Sequence, residues 1–221
     1  MGARSGGRSP RERERGQMVE TTIAARGVRD QRVLEALRRV PRERFVAGHQ
    51  ERSAYGDHPL PIECGQTISQ PYVVALMAEA AAVGPGDHVL EVGTGSGYGA
   101  AVLAQLAGHV TSLERHGKLA GSARETLGAA GIGNVEVIHC DGWLGHPPGA
   151  PYSAIVVTAA APEVPGALLE QLADGGRLVM PLGHEGRTQR LVVVTRAGDE
   201  FVETDLGGVS FVPLVEGLPD T

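Results

Sequence analysis

Cysteine and metal-ligand patterns are scarce in this sequence. Among its 221 residues are two cysteines, Cys64 and Cys140, which are too few for a disulfide framework and are not spaced as metal ligands. The eight histidines are single residues, and neither a His-Glu-x-x-His pattern nor a Cys/His cluster occurs. We therefore expect free thiols and no metal site.

Long hydrophobic runs are also absent. The longest, residues 73–83 and 154–161, fall well short of the roughly 20 residues that span a bilayer, so we expect neither a transmembrane segment nor a membrane partner. The Arg-rich N-terminus lacks the apolar core of a signal peptide. These features predict a cytoplasmic location.

Positive charge is scarce outside the N-terminus. The formal net charge is -6, and residues 1–17, with five arginines and two glutamates, carry +3, so the remainder carries -9. An acidic body disfavours nonspecific binding of nucleic acid, and we expect no nucleic-acid partner. The Gly, Ser and Arg content of residues 1–17 favours a disordered tail, with the folded protein beginning at Met18.

Two helices and a loop are predicted before the centre of the chain. Apolar residues at helical spacing predict a helix over residues 28–40, and a second helix is expected from Pro71 to about Val83. Between them, residues 54–71 contain several prolines and glycines with little periodicity, which predicts an ordered loop. A long irregular segment inside a compact domain often has a functional role.

The rest of the chain alternates between strand and helix patterns. With 42% hydrophobic residues the chain can bury one core, so we predict a single domain over 18–221, in which residues 18–86 precede a core at 87–221. Strands are expected near 88–92, 109–113, 134–138, 153–158 and 176–181, with helices near 98–107, 118–130 and 163–172. Strand-like runs at 190–195, 201–205 and 209–214 follow at hairpin spacing. This order predicts an α/β, Rossmann-like, doubly wound and mainly parallel sheet with C-terminal antiparallel strands.

A glycine-rich loop follows the first strand of this core. Gly93, Thr94, Gly95, Ser96 and Gly97 separate an apolar run from an Ala-rich helical pattern. Glycine allows a tight turn and close approach of a ligand to the backbone, and the helix start offers unpaired N–H groups. The pattern predicts a loop that binds a nucleoside cofactor, a design that dinucleotide dehydrogenases share.

Flanking residues narrow the choice of cofactor. Glu91 precedes the loop, Tyr98 stands where a dinucleotide fingerprint has its third glycine, and Glu114 ends the second strand, where it can accept hydrogen bonds from ribose. These features resemble class I S-adenosylmethionine-dependent methyltransferases, in which the acidic residue before the loop faces the methionine end of the cofactor. The resemblance implies S-adenosylmethionine as cofactor, S-adenosylhomocysteine as product, and adenine beside Asp141 and Gly142. Asp141 also suits a simple turn, and Glu114 an exposed strand end.

A second set of motifs points to the methyl acceptor. Residues 55–62 and the run Gly-Gln-Thr-Ile-Ser-Gln-Pro at 65–71 closely resemble the substrate loop of the protein-L-isoaspartate O-methyltransferase family. The resemblance continues at residues 18–20, 33–36, 40–43, 157–163, 175–179 and 211–214. It implies transfer of a methyl group to the free α-carboxyl of L-isoaspartyl residues in damaged proteins and peptides, by a monomer. The ester then closes to a succinimide, which can reopen to aspartate.

The residues present suit this chemistry. A carboxylate with a pKa of about 3.9 is ionised at pH 7, so it needs positioning more than a general base. By the resemblance, Ser69 is the catalytic residue, and it holds the substrate carboxylate together with backbone N–H groups from Thr67 and Ile68. Asp57 and Ile62 are expected to support the substrate. Ser69 could also cap a helix, and Asp57 could form an Asx turn.

Two positions depart from the family pattern. Glu63 and Cys140 stand where glycine is usual, and Glu63 could repel a carboxylate substrate. An alternative function is therefore a related methyltransferase that esterifies ordinary aspartate in a dedicated peptide. A further alternative is a nucleoside-binding or dehydrogenase-like module without methyl transfer.

Overall fold

A computed structural model describes residues 9–219. Its α-helices are α1 (Pro10–Met18), α2 (Gln31–Arg39), α3 (Pro71–Ala81), α4 (Tyr98–Leu103), α5 (Gly117–Ala129) and α6 (Gly166–Glu170). Its strands are β1 (Leu60–Pro61), β2 (Thr67–Ile68), β3 (His88–Val92), β4 (His109–Glu114), β5 (Val135–His139), β6 (Tyr152–Val157), β7 (Leu172–Leu182), β8 (Gln189–Ala197) and β9 (Glu200–Val209). Short helical turns occur at Val19–Ile23, Ala24–Arg26, Arg42–Phe45, Gly48–Ser53, Glu63–Gly65, Gly142–Leu144 and Pro147–Gly149.

Seven strands form one mixed sheet in the order β5-β4-β3-β6-β7-β8-β9. The pairs from β5 through β7 are parallel, whereas β7, β8 and β9 pair antiparallel. Apolar residues alternate between two cores: Val89 faces a core shared with the N-terminal helices, while Leu90 faces one shared with α6. The predicted fold class is confirmed.

The end of the chain differs from the expected third C-terminal strand at 209–214. Strands β8 and β9 are longer than predicted, and residues 210–214 leave the sheet, with one isolated bridge between Pro213 and Ala160. The side-chain amide of Gln189 donates to the Phe211 carbonyl at 3.0 Å and accepts from the Phe211 N–H at 2.7 Å. The backbone of this segment is therefore bonded by the Gln189 side chain at Phe211 and by the Ala160 backbone at Val212 and Leu214.

The N-terminal helix α1 contradicts the disordered tail expected over residues 1–17. Ser9 and Glu12 form a capping box, in which the Glu12 N–H donates to Ser9 Oγ and the Ser9 N–H donates to Glu12 Oε2. Arg15 Nε donates to the Arg38 carbonyl at 2.5 Å, and this contact ties α1 to α2. The expectation is wrong for residues 10–17. It was based on amino-acid composition and did not use the Ser-x-x-Glu pattern, which indicates the start of a helix. Residues 1–8 lie outside the described residues.

Within residues 9–219, no helix has the length and apolar character needed to cross a membrane.

Candidate active site

A cavity of about 1030 Å³ lies at the carboxyl ends of β3 and β4. Three parts of the chain line it: the glycine loop after β3, the segment 66–70 before α3, and the residues 206–215 at and after the end of β9. In an open α/β sheet, ligands bind at this edge of the strands. The sequence-predicted cofactor loop and substrate loop therefore face one space.

The glycine loop has the backbone conformation that its sequence predicts. Gly93, Gly95 and Gly97 all have positive φ, at 99°, 53° and 88°. At Gly93 the backbone also passes Thr158 so closely that a Cβ would lie 2.2 Å from Thr158 Oγ1. Gly93, Thr94, Gly95 and Ser96 line the cavity, whereas Gly97 packs behind it against α5.

Glu91 is a buried carboxyl in the cavity wall, with 1% of its surface exposed. Its Oε2 accepts from Ser112 Oγ at 2.5 Å, and Ser112 Oγ lies 2.6 Å from Thr94 Oγ1. Burial raises the pKa of Glu91 to about 8, and the Ser112 hydrogen bond offsets part of this rise. Gly99 leaves room for this carboxyl, since a Cβ there would lie 2.4 Å from Oε1. The raised pKa favours the protonated form of Glu91, which can donate as well as accept.

Glu114 is held differently, although it lines the same cavity. Its Oε2 accepts from the Gly95 N–H at 2.8 Å, and its Oε1 accepts from the His116 N–H at 2.9 Å. The carboxylate thus joins the end of β4 to the glycine loop. Carboxylate oxygens have further lone pairs, which can accept hydrogen bonds from ligand hydroxyls. The alternative of an exposed charge is wrong, because Glu114 is 5% exposed.

Gly142 lines the cavity, but Asp141 lies behind it. Asp141 Oδ1 accepts from the Trp143 N–H at 2.9 Å, which is the turn-forming contact that the sequence allowed. Its Oδ2 accepts from the Gly217 N–H at 2.8 Å, and Arg115 donates to the Gly217 carbonyl through Nε and Nη2 at 3.2 and 3.1 Å. Asp141 and Arg115 therefore hold the C-terminal segment next to the cavity.

The segment before α3 forms another part of the cavity wall. Thr67 and Ile68 pair with β1, and they line the cavity together with Ser69. The N-cap of α3 is Gln70, whose side chain makes no capping hydrogen bond, and the Tyr72 N–H in the first turn donates to Asp57 and not to Ser69. The helix-cap alternative for Ser69 is therefore wrong. Ser69 is half-buried in the cavity wall.

Two predicted substrate residues lie behind the wall instead of in it. Asp57 Oδ1 accepts from the Tyr72 N–H at 3.0 Å, and its Oδ2 pairs with Arg26 Nη1 at 2.5 Å. Ile62 lies against the glycine loop, with its Cδ1 3.5 Å from the place of a Cβ on Gly95. Asp57 therefore supports α3 and Arg26, and Ile62 supports the glycine loop.

Sequence reasoning did not assign several lining residues to the site. Tyr72 comes from a segment read only as a helix, and Arg26 from a stretch to which no element or motif was assigned. Glu185, Thr188 and most of residues 206–215 come from the C-terminal part. The motif at 211–214 was a signal for the last of these. Arg26 had no signal of its own, because a lone arginine before a glycine has no characteristic chemistry.

Glu63 does not line the cavity, and it has a positively charged partner. Its Oε1 lies 2.7 Å from Lys118 Nζ, in the first turn of α5. Cys140, the other departure, is half-buried, and burial raises the pKa of its thiol. In the part of the chain that the structure describes, no three His, Cys, Asp or Glu side chains are grouped as metal ligands.

Comparisons with known proteins agree with this geometry. The family described as protein-L-isoaspartate(D-aspartate) O-methyltransferase matches residues 13–218. Protein-L-isoaspartate O-methyltransferase 1 of Rhodopseudomonas palustris is 56% identical over 203 residues, which cover 91% of this chain and 83% of the relative. The protein-L-isoaspartate O-methyltransferase of Methanoregula boonei is 54% identical over 207 residues, covering 93% of this chain and 94% of the relative.

A solved structure supports the same grouping. It is a crystal structure of a putative protein-L-isoaspartate O-methyltransferase from Plasmodium falciparum in complex with S-adenosyl-L-homocysteine. The two chains are 27% identical and superpose with a TM-score of 0.79, covering 91% of this chain and 98% of the other. The likeness thus extends over nearly the whole fold.

Proposed function

This chain belongs to the protein-L-isoaspartate(D-aspartate) O-methyltransferase family, and from that premise we propose how its residues hold the cofactor and the substrate. It is a class I methyltransferase that uses S-adenosylmethionine to methylate L-isoaspartyl residues of proteins and peptides. When bound, the cofactor supplies a methyl group on an electrophilic sulfonium centre. The remaining task of the protein is to bind, orient and shield the reacting groups.

The residues of the glycine loop fit such a cofactor. Gly93 has no room for a side chain beside Thr158, and both Gly93 and Gly95 present backbone without a side chain in the cavity lining. We assign the methionine end of the cofactor to Glu91 and the loop Gly93–Gly97, in which Gly97 acts through the loop's conformation. Glu114 accepts from the ribose hydroxyls, and Gly142 lies beside adenine. Asp141 supports that end from behind, through Trp143 and Gly217.

The substrate carboxylate binds at Ser69. The hydroxyl of Ser69 donates to one carboxylate oxygen, and backbone N–H groups of residues 67–69 donate to the other. No base is required, because an α-carboxyl is ionised at neutral pH. These groups would hold the carboxylate in position for methyl transfer, in which the sulfonium–methyl bond would break as the ester bond forms. The transfer would neutralise both charges, which a shielded cavity favours.

One observation supports this proposal above the others: residues 67–69 and the glycine loop line a single cavity. The test is mass spectrometry of an isoaspartyl peptide after incubation with S-adenosylmethionine. We expect one added methyl group on the isoaspartyl α-carboxyl, and later appearance of aspartyl peptide through the succinimide. Calorimetry tests the alternative function. Binding of NAD without binding of S-adenosylhomocysteine would contradict the proposal and favour a dehydrogenase-like module.

We also propose that the protein works as a monomer in the cytoplasm. Residues 18–221 form one domain, and α1 packs against this domain as part of the same folded unit. The two free cysteines, Cys64 and Cys140, suit a reducing compartment. Both walls of the cavity come from one chain, so catalysis needs no second copy. Light scattering on the purified protein tests the monomer, and a dimer mass would contradict it.

A further inference from the structure

Arg26 lies in the cavity wall, where the sequence pattern had placed Asp57. It ends the short helical turn Ala24–Arg26, and Gly27, with a φ of 109°, then turns the chain away. Arg26 lines the same cavity as Ser69 and Tyr72, whereas Asp57 is not among the lining residues. A cation thus faces the substrate side of the site.

Two contacts fix the orientation of this guanidinium. Nη1 pairs with Asp57 Oδ2 at 2.5 Å, and the guanidinium carbon lies 3.5 Å from the centre of the Tyr72 ring. Stacking on an aromatic ring leaves the edge of the guanidinium open to hydrogen bonding. The side chain is 47% exposed, and a guanidinium has five N–H donors, of which Asp57 engages one nitrogen. Arg26 is therefore preorganised to meet a planar anion.

The negative charge of Asp57 is shared between Arg26 and the first turn of α3. Asp57 Oδ1 accepts from the Tyr72 N–H in the first turn of α3, where the helix dipole favours an anion. Among the other lining groups, Glu114 is engaged by two backbone N–H groups and the Arg115 guanidinium by the Gly217 carbonyl. The remaining acidic lining residue of the C-terminal half, Glu185, lies on the turn between β7 and β8.

We propose that Arg26 determines sequence preference around the isoaspartyl residue, by favouring an acidic neighbour and disfavouring a basic one. The inference rests on the proposed function, because it concerns the peptide that the same site binds. Ser69 and its neighbouring N–H groups hold the reacting carboxylate, so Arg26 is free to contact a second carboxylate on the adjacent residue. Arginine suits that contact because its planar fork matches carboxylate geometry.

The test compares isoaspartyl peptides that differ at one position, with Glu, Gln or Lys immediately before or after the isoaspartyl residue. The proteins are wild type, Arg26→Gln and Arg26→Lys, with Arg29→Gln as matched control. Arg29 is a nearby exposed arginine whose Nη1 donates to the Ala24 carbonyl, and it does not line the cavity. The readouts are kcat and KM for each peptide, and the Kd for S-adenosylhomocysteine.

At one of the two positions we expect wild-type kcat/KM to fall in the order Glu, Gln, Lys. Each step is about threefold at low salt, the scale of a partly exposed ion pair, and it shrinks at high salt. In Arg26→Gln we expect the three peptides to have similar kcat/KM, because their KM values become similar. Arg26→Lys keeps part of the preference, and Arg29→Gln keeps all of it. The Gln peptide retains its kcat, and the Kd for S-adenosylhomocysteine is unchanged in every variant.

Two results would overturn the inference. One is an unchanged order in Arg26→Gln, which would mean that Arg26 does not read the neighbouring residue. The other is an equal loss of kcat for all three peptides, which would give Arg26 a purely structural role. Failure of the proposed function looks different, because wild type would then methylate none of the isoaspartyl peptides.

Discussion

At the scale of single residues, the cavity contains two buried glutamates that are stabilised in different ways. Glu114 accepts from two backbone N–H groups, whereas Glu91 has a hydroxyl partner and an apolar surrounding that raises its pKa to about 8. They lie near the carboxyl ends of β3 and β4, which are neighbouring parallel strands. Their different environments predict different responses to pH.

Glu91 makes the stability of the ligand-free protein depend on pH. Its pKa is about 8 in the folded protein against an ordinary value of 4.5, so between these limits the folded state holds a proton that the unfolded state has lost. Stability therefore falls as pH rises through this window. Glu91→Gln removes this dependence, and we expect its midpoint of thermal unfolding to change less than that of wild type between pH 5.5 and pH 8. Parallel changes in the two proteins would contradict the raised pKa.

Ser69→Ala tests the residue assigned to the substrate carboxylate. We expect kcat to fall roughly 100-fold, the scale for loss of one donor in a preorganised anion site. The Kd for S-adenosylhomocysteine stays unchanged, because Ser69 belongs to the segment before α3 and not to the glycine loop that is assigned to the cofactor. Ser122→Ala, on the exposed side of α5, is the control and keeps wild-type kcat. Unaltered turnover in Ser69→Ala would remove this residue from the mechanism.

Sequence predicted which residues gather at the cavity better than it predicted where their side chains point. Glu91 and Glu114 follow from strand ends, since parallel strands end at the same edge. Asp57 and Asp141 follow from motif position, but both carboxylates point to backbone N–H groups behind the wall. Such local competition for a carboxylate depends on turn geometry, which residue spacing does not contain. The assigned roles of all these residues stay predictions.

At the scale of elements, the substrate segment is attached to the cofactor half by an ion pair. Glu63, in the turn Glu63–Gly65, reaches Lys118 in α5, and Ile62 packs over the glycine loop. Because both partners are largely exposed, the contact is weak and sensitive to salt. It nevertheless joins the substrate segment to α5, although its two residues lie 55 positions apart in the sequence. We expect it to slow the release of the bound product.

Lys118→Gln tests this contact. At low salt we expect S-adenosylhomocysteine to dissociate about twofold to threefold faster than from wild type, measured by stopped-flow fluorescence. The difference vanishes in concentrated sodium chloride, and Lys118→Arg retains the wild-type rate at both salt concentrations. A low-salt rate equal to that of wild type would show that the pair does not hold the segment closed.

Helix α1 is the element that sequence composition misjudged, and it contacts the start of the substrate segment. Arg15 Nη1 donates to the Tyr55 hydroxyl at 3.3 Å, and the Tyr55 hydroxyl donates to Glu43 Oε2. The side chain of Arg15 is 11% exposed, so its charged group contacts these partners and little water. A helix with such an anchor belongs to the folded unit.

Arg15→Met should therefore destabilise the protein. We expect a loss of about 1–2 kcal/mol in the free energy of unfolding by urea, since hydrogen bonds from a charged group to part-buried partners are removed. Arg11→Met is the matched control on the same helix, because Arg11 pairs with exposed Glu14 one turn away. Equal stability of both variants would mean that α1 does not depend on the Arg15 contacts.

At the scale of the whole molecule, the strand order brings the two ligand-binding segments to one edge of the sheet. Alternating strand and helix patterns predicted the parallel part, because buried parallel strands are short apolar runs between amphipathic helices. The position of residues 210–214 in the cavity wall could not be predicted. The backbone of Phe211 is hydrogen-bonded there by the side chain of Gln189, 22 positions earlier in the sequence. Long-range contacts of this kind leave no periodic signal.

The central claim is that this cavity selects an isoaspartyl carboxylate as the methyl acceptor. The most direct measurement mixes matched isoaspartyl and aspartyl peptides in one reaction with labelled S-adenosylmethionine and follows methyl incorporation into each. We predict label in the isoaspartyl peptide and none above background in its aspartyl partner. Methylation of the aspartyl peptide at an equal or greater rate would contradict the account and would favour an enzyme that esterifies ordinary aspartate.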